Sequence, residues 1–205
     1  MPQGGSSQHN TGQAGPGTLS PVQSMTAVIH SRRLDLVPMT PPVLLALLAG
    51  DVRTAGHLLG AAVPKNLEIP PSALELRLGQ LEVDPELQPW LMRAMVLREE
   101  GIVIGDIGFH AGPGHECLAS LAPGGAELGF GVAPAWRRHG MASEASEALM
   151  HWAWQTHGVR HFVVSISPDN VPSLGLAAKL GFRKIGWQLD EIDGPEDIFG
   201  RTFPP

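Results

Sequence analysis

The fold of this chain is decided by residues 126–156, which read AELGFGVAPAWRRHGMASEASEALMHWAWQT. Apolar residues alternate with Gly129 and Gly131, which is the period of a half-buried strand, and Pro134 ends that pattern. From Met141 onward, apolar residues recur at the three- and four-residue spacing of one helical face. The stretch therefore predicts a strand, a basic turn and a long helix.

The turn between the strand and the helix has the chemistry of an anion site. Arg137 and Arg138 supply two cations beside the first amides of the helix, which lack intrahelical acceptors and carry the positive end of the helix dipole. Gly140 has no Cβ, so an anion can approach the backbone closely. We interpret the turn as a phosphate or pyrophosphate site. The alternative is an ordinary surface turn with two solvated arginines.

Residues 137–142 also resemble the acetyl-CoA signature of the GNAT superfamily of N-acetyltransferases. That signature is Gln or Arg, two variable residues, Gly, one variable residue, then Gly or Ala, and RRHGMA matches it fully. Asn170 and Ser173, followed by KLGF at 179–182, resemble the second signature of the superfamily. With ELGF at 127–130 before the turn, the chain is most similar to the subgroup of RimJ/RimL-like ribosomal-protein alanine acetyltransferases.

The resemblance covers about residues 30–203 and implies both a fold and a reaction. The implied fold is a mixed α/β (α+β) architecture, in which helices flank a mostly antiparallel sheet of about seven strands. That sheet splays between strands 4 and 5, where coenzyme A inserts. The implied reaction moves an acetyl group from acetyl-CoA, the co-substrate, to a primary amine by direct attack in a ternary complex. The amine is a protein N-terminus or a small molecule.

Two side chains are candidates for proton transfer. Strand alternation places Glu127 on the face opposite the core, where the glycines leave room for a pantetheine chain, and we assign it as the general base. The alternative is a solvated or salt-bridged strand carboxylate. Many GNAT enzymes use a tyrosine to protonate the thiolate, but this chain contains no tyrosine. The resemblance makes Ser173 the candidate acid, with helix capping or first-turn hydrogen bonding as its alternative.

Further residues are expected at the site. His110 could approach from a neighbouring strand, although a structural or surface role is its alternative. The residues that we expect to bind the cofactor are Phe130, Gly131, Val132, Arg137, Arg138, His139, Gly140, Met141, Ala142, Ser143 and Asn170.

Patterns outside the central stretch complete the predicted elements. Helices are expected from Thr40, Asp51 and Ser72, with Leu58 among the residues of the second helix that face inward. Strands are expected over residues 31–38, 91–98, 102–110, 162–166, 185–192 and 198–203, with a turn at Asp193-Gly194. The strand at 162–166 should run parallel to the central one, because a helix connects them.

Composition bounds the remaining possibilities. The 205 residues fit a disordered tail over 1–23 and a single domain over 24–205. A net charge of −6 argues against nucleic acid and suits a cationic amine. The single cysteine excludes an internal disulfide framework and indicates a reducing, cytoplasmic setting. No membrane span and no metal site are expected, and a homodimer stays open.

Two other functions remain as alternatives. A non-catalytic module that binds acyl-CoA would carry the same turn, and the missing tyrosine leaves that option open. A dinucleotide-binding protein is the second, because residues 140–145 loosely resemble a G-x-G-x-x-G turn. That fingerprint normally opens a repeated βαβ array, whereas this sequence predicts only one such unit.

Overall fold

A computed structural model describes residues 27–190 and 194–204 of the chain. The predicted tail over 1–23 and Asp193 of the predicted turn lie outside those residues. Within them, the architecture is a mixed α/β fold in which one open sheet is covered by helices on both faces. No helix in this part of the chain combines the length and apolar character needed to cross a membrane.

Eight strands form the sheet, in the order β1-β2-β3-β4-β5-β6-β8-β7. All neighbours are antiparallel except β5 and β6, which are parallel as predicted. The expected count of about seven is one too low, because a two-residue strand precedes the predicted first one and pairs with it. The strands are Ile29–His30, Leu34–Pro38, Arg93–Leu97, Ile102–Phe109, Ala126–Val132, His161–Ile166, Arg183–Asp190 and Gly194–Thr202.

Five α-helices surround the sheet. Thr40 is the N-cap of the first helix but makes no side-chain hydrogen bond, and the third helix begins at Pro71, one residue before the expected Ser72. Asp51 accepts a hydrogen bond from the Thr54 amide at 3.0 Å, and Asn170 accepts one from the Ser173 amide at 3.2 Å. Gly158 ends the long helix in the left-handed conformation. The helices are α1 Pro41–Leu48, α2 Val52–Leu59, α3 Pro71–Val83, α4 Met141–His157 and α5 Val171–Lys179.

Two apolar cores lie on opposite faces of the sheet. Met95 and Leu97 of β3 pack on the α4 side, whereas Ala94 and Val96 pack under α1, α2 and α3. Burial on both faces explains why β3 has no polar alternation. The inward orientation expected for Leu58 is wrong, since this residue is 47% exposed.

The sheet opens between β5 and β6. These strands pair only through Ala126 with Phe162 and Glu127 with Val163, although β5 continues to Val132 and β6 to Ile166. Beyond Glu127 the two strands diverge and leave a gap in the sheet. The predicted splay between strands 4 and 5 corresponds to this gap, because the additional first strand raises each strand number by one.

A β-bulge in β4 changes which side chains face each core. Met95 pairs with Gly105, but the next residue of β3, Val96, pairs with Val103, so Ile104 is an extra residue. Before the bulge, Val103 faces the α1–α3 side. After it, Asp106 takes that side, although three residues of regular strand would have placed it on the other.

Candidate functional site

The turn before α4 presents a row of unpaired backbone amides. In the described residues, no amide from Arg138 to Ser143 donates a hydrogen bond within the protein, and the first that does is Glu144, to the Gly140 carbonyl at 3.0 Å. Arg138 and Gly140 both have positive φ, at 65° and 78°. The chain therefore curls around its own amides, which is a geometry that holds a phosphate-sized anion.

A half-buried carboxylate, Glu144, fixes this turn to the beginning of the sheet. Glu144 accepts hydrogen bonds from the Arg33 amide at 2.6 Å and the Ser31 hydroxyl at 2.8 Å, and it pairs with the Arg33 Nε at 2.7 Å. Burial opposes ionisation, but these bonds leave the pKa of Glu144 below its ordinary value. Arg33 also donates to the His139 carbonyl at 3.2 Å. The sequence alone did not identify Ser31 or Arg33, which lie more than a hundred positions away.

The predicted cations of the turn are placed differently from one another. Arg137 donates from Nε to the Val132 carbonyl at 2.8 Å, and its Nη2 lies 3.7 Å from the Glu68 carboxylate. His139 lies with Nδ1 2.8 Å from the Arg137 carbonyl. Arg138 is exposed and meets no partner within the described ranges, so its guanidinium is free to bind a ligand.

The remaining predicted residues of the turn divide between core and surface. Met141 is buried in the core beneath α4. Ala142 and Ser143 are partly exposed in the first turn of that helix. Met141 therefore offers a ligand its amide only, whereas the next two residues can also make side-chain contacts.

Backbone groups of β5 line the gap. The Glu127 carbonyl accepts from the His110 amide at 2.8 Å, and the Ala133 amide donates to the Ile104 carbonyl at 2.9 Å, so the odd-numbered residues bond to β4. The amides and carbonyls of Phe130 and Val132 therefore face the gap. Those of Gly131 face β4, which differs from the expectation that Gly131 would contact the cofactor with its backbone.

Glu127 lies inside a network of hydrogen bonds and charges. The Ser165 hydroxyl on β6 donates to its Oε1 at 2.5 Å, and His110 Nδ1 lies 3.7 Å from Oε2. Burial raises the pKa of Glu127, but His110, Ser165 and the nearby Arg77 guanidinium outweigh that effect and leave the pKa below its ordinary value. Glu127 is thus an ionised, well-held carboxylate. His110 is brought to it, as the sequence suggested, whereas Ser165 was missed.

A second carboxylate, Asp106, lies on the same face of the sheet and was missed by the sequence analysis. It pairs with Gly131 across the β4–β5 ladder. Burial raises the pKa of Asp106 to about 7, and the positive charge of Arg77 only partly opposes that rise. The bulge in β4 hides this residue from sequence reading, because it breaks the alternation that would have marked Asp106 as facing the site.

The glycines of β5 make room for these side chains. A Cβ at Gly129 would lie 2.6 Å from His110 Nε2, and a Cβ at Gly131 would lie 2.8 Å from Asp106 Oδ1. The expectation that a pantetheine chain lies over these two glycines is therefore wrong, since protein side chains fill that space. The gap between β5 and β6 is the remaining open route.

Helix α3 closes this polar cluster from above the sheet. Arg77 and Gln80 both donate to the His110 carbonyl, at 3.1 and 2.8 Å, and they bond to each other at 2.7 Å. Burial lowers the pKa of Arg77, while Asp106 and Glu127 oppose that shift. The three-residue spacing of Arg77 and Gln80 puts them on one helical face, which is the only signal that sequence offered.

Asn170 and Ser173 lie on the other side of the gap. Helix α5 begins after a four-residue turn at the end of β6, and the Asn170 side chain caps it through the Ser173 amide. Asn170 is thus the N-cap of α5, and Ser173, for which capping was the alternative role, takes part only through its backbone amide. Among the described residues, the Ser173 hydroxyl has no protein partner, so it is free to meet a ligand.

Comparison with known proteins identifies a family. The sequence profile of the acetyltransferase (GNAT) domain matches residues 33–183. The uncharacterized N-acetyltransferase YnaD of Bacillus subtilis is 27% identical over 93 residues, which is 45% of this chain and 50% of that protein. An N-acetyltransferase 9-like protein of Caenorhabditis elegans is 40% identical over 55 residues, 26% of this chain and 27% of that protein. The chain thus aligns with half or less of these curated relatives.

Solved structures show the same fold. RimL, the ribosomal L7/L12 α-N-protein acetyltransferase in complex with coenzyme A, superposes with a TM-score of 0.60 at 17% identity, covering 86% of this chain and 98% of its own. The ribosomal-protein-S5-alanine acetyltransferase of Vibrio fischeri gives 0.57 at 13%, covering 86% and 96%. The microcin C7 self-immunity acetyltransferase MccE, in complex with acetyl-CoA and AMP, gives 0.57 at 14%, covering 83% and 93%.

Proposed function

The chain belongs to the acetyltransferase (GNAT) family, and on that premise we propose that it transfers an acetyl group from acetyl-CoA to a primary amine in a ternary complex. The observation that carries this proposal is the row of unpaired amides from Arg138 to Ser143, which lies next to the end of β5 where the sheet opens. An anion site followed by a gap lined with strand backbone matches the pyrophosphate and the pantetheine chain of coenzyme A.

The proposed site extends from the N-terminus of α4 into the gap between β5 and β6, and the cofactor lies along it. The pyrophosphate binds the unpaired amides and the Arg138 guanidinium at the N-terminus of α4. The pantetheine chain enters the gap, where it takes the place of the missing partner strand and bonds to the backbone of Phe130. Asn170 and Ser143 border the same route. That RimL and MccE are solved with coenzyme A and acetyl-CoA supports acetyl-CoA as the donor.

The chemistry requires a neutral amine, a polarised carbonyl and a stabilised thiolate. Amides of β5 that face the gap, at Phe130 and Val132, donate to the thioester oxygen as charge develops on it. A carboxylate on the adjacent face takes a proton from the amine, and Glu127 is the candidate from the sequence. Ser173, at the start of α5, is the candidate donor to the departing thiolate.

The acceptor is a cationic amine, either a protein N-terminus or a small molecule. The site that faces β5 contains two carboxylates, and the chain carries a net charge of −6. Both features favour an ammonium group over an anionic acceptor. The dinucleotide-binding alternative loses support, because the described sheet contains one parallel pair instead of a repeated array.

Calorimetric titration with acetyl-CoA tests this proposal. We expect the parent protein to bind, and we expect the Arg137→Ala/Arg138→Ala double variant to bind roughly 10- to 100-fold more weakly, since the loss of one charged contact, that of Arg138, costs about 1.5–3 kcal/mol. The matched control is Arg53→Ala/Lys65→Ala, which removes the same charge from exposed positions on and after α2 and should bind like the parent. Folded parent protein that binds no acetyl-CoA would contradict the assignment.

Transfer to amines separates an enzyme from a binding module. Release of free thiol from acetyl-CoA, measured with a panel of peptides and polyamines, should rise above the rate without amine. A parent protein that binds acetyl-CoA tightly and accelerates no transfer to any amine supports the non-catalytic alternative.

A further inference from the structure

Two carboxylates face the site, and they differ in what already surrounds them. Glu127 accepts a hydrogen bond from Ser165, and the His110 ring lies 3.7 Å away. Asp106 accepts no hydrogen bond from any residue that the structure describes, yet neither of its carboxylate oxygens is sealed from solvent. One carboxylate is already committed, while the other is available to a substrate.

Their positions along β5 also differ. Asp106 pairs with Gly131, and its Oδ1 lies over that glycine. Gly131 stands between the two residues whose backbone groups face the gap, so Asp106 lies level with the proposed position of the thioester carbonyl. Glu127 is four residues earlier, which is ~13 Å along the strand. A long side chain shortens that separation without removing it.

We propose that Asp106, in place of Glu127, accepts the proton that the acceptor amine loses before it attacks. This inference rests on the proposed function and names a further catalytic residue for it. The bulge at Ile104 supports it, because that extra residue turns Asp106 toward the site. Gly131 supports it as well, because any side chain there would occupy the position of the Asp106 carboxylate.

The charges around Asp106 suit the exchange of a proton near neutral pH. Arg77 of α3 is the cation that faces it, His110 follows on the same strand, and Glu127 adds negative charge from β5. Burial outweighs the attraction of Arg77 and raises the pKa of Asp106 to about 7. A base is most effective when its pKa is close to the working pH.

The step balances without any further reactant. The ammonium gives one proton to the ionised Asp106, and the neutral nitrogen attacks the thioester carbon to form the C–N bond. The C–S bond then breaks, and the thiolate leaves with the electron pair. The second proton on nitrogen is released as the amide forms, and the thiolate takes up one proton. Asp106 returns its own proton to solvent.

Two nucleophiles of different basicity test the role of Asp106. Propylamine and spermidine are cationic near neutral pH and need a base, whereas hydroxylamine is already uncharged at pH 7 and above. In Asp106→Asn we expect transfer to the alkylamines to fall by about 10²-fold or more, with loss of the rise in kcat/KM near pH 7. Transfer to hydroxylamine and the affinity for acetyl-CoA should change by less than about threefold. Equal losses with both nucleophiles, or an unchanged pH profile, would overturn the proposal.

Controls separate this result from misfolding and from failure of the proposed function. Asp197→Asn removes a carboxylate of β8 that pairs with Lys184, and it should leave both transfers unchanged. Gly131→Ala keeps Asp106 but displaces it, and should reproduce the selective loss. Where no alkylamine is a substrate, infrared spectra of the acetyl-CoA complex give a second test, through the protonated-carboxyl band that the parent has and Asp106→Asn lacks. Disappearance of this band as the pH rises through about 7 supports the role. Absence of the band at every pH overturns it. A parent that binds no acetyl-CoA contradicts the proposed function instead.

Discussion

The burial of the Asp106 carboxylate lowers the stability of the fold near and above neutral pH. Its pKa rises from 3.8 in the unfolded chain to about 7 in the folded one, so the folded state binds more protons between these values. Stability therefore falls as the pH rises through that window. At about 1.4 kcal/mol per pKa unit, the cost above neutral pH is roughly 4 kcal/mol at most.

Asp106→Asn should accordingly stabilise the protein at high pH. We expect the free energy of unfolding in urea to rise by about 1–4 kcal/mol at about pH 8 and to change little below about pH 4, because the carboxyl is neutral there in both states. Asp197→Asn, which breaks an ion pair on the surface, should give no such gain. If Asp106→Asn is instead less stable than the parent at high pH, the attraction between Arg77 and the Asp106 carboxylate outweighs the cost of burying that charge.

Glu127→Gln tests the other carboxylate. If Glu127 is the base, turnover should fall by roughly 10²–10⁴-fold and the pH dependence of kcat/KM should be lost with it. If Asp106 is the base instead, the rise near pH 7 remains in Glu127→Gln. Steady-state rates across the pH range, with the same amine and saturating acetyl-CoA, distinguish these outcomes.

At the scale of single elements, the turn before α4 is a strained segment at the proposed binding site. Arg138 has a φ of 65°, in the left-handed region that costs a side-chain-bearing residue about 1–2 kcal/mol. Arg138→Gly should raise the free energy of unfolding by about 1 kcal/mol while weakening acetyl-CoA binding. Arg138→Ala should weaken binding without that gain. Thermal unfolding and calorimetry on the two variants measure both effects, and equal stability would mean that the turn is unstrained.

The start of α5 permits a clean test of the candidate acid. The Asn170 side chain binds the backbone amide of Ser173, so Ser173→Ala leaves the cap intact. Asn170→Ala should cost about 1 kcal/mol of stability. Any fall in turnover of Ser173→Ala at unchanged melting temperature then belongs to its hydroxyl. Unchanged turnover would assign Ser173 to the helix alone and leave the thiolate unassisted.

At the scale of the whole molecule, local sequence patterns predicted the helices and strands. They also predicted the proposed pyrophosphate site, because that site lies within a single continuous stretch of sequence. The strand, turn and helix over 126–156 formed as expected because period, proline and glycine act over a few residues. The cluster around Glu127 was largely missed because it joins α3, β4, β5 and β6. Arg77 and Ser165 meet there only through the tertiary fold, and a single sequence carries no record of such pairs.

The bulge in β4 has a consequence for comparing this protein with its relatives. One extra residue changes strand parity, so an alignment that leaves out a one-residue gap at Ile104 places residues from opposite faces of the sheet in one column. In a relative without the insertion that is aligned in this way, the residue in the column of Asp106 points into the apolar core, and its neighbour faces the site. Searches for this carboxylate in other genomes should therefore be done by superposed geometry, since matching by column would report it missing where it is present.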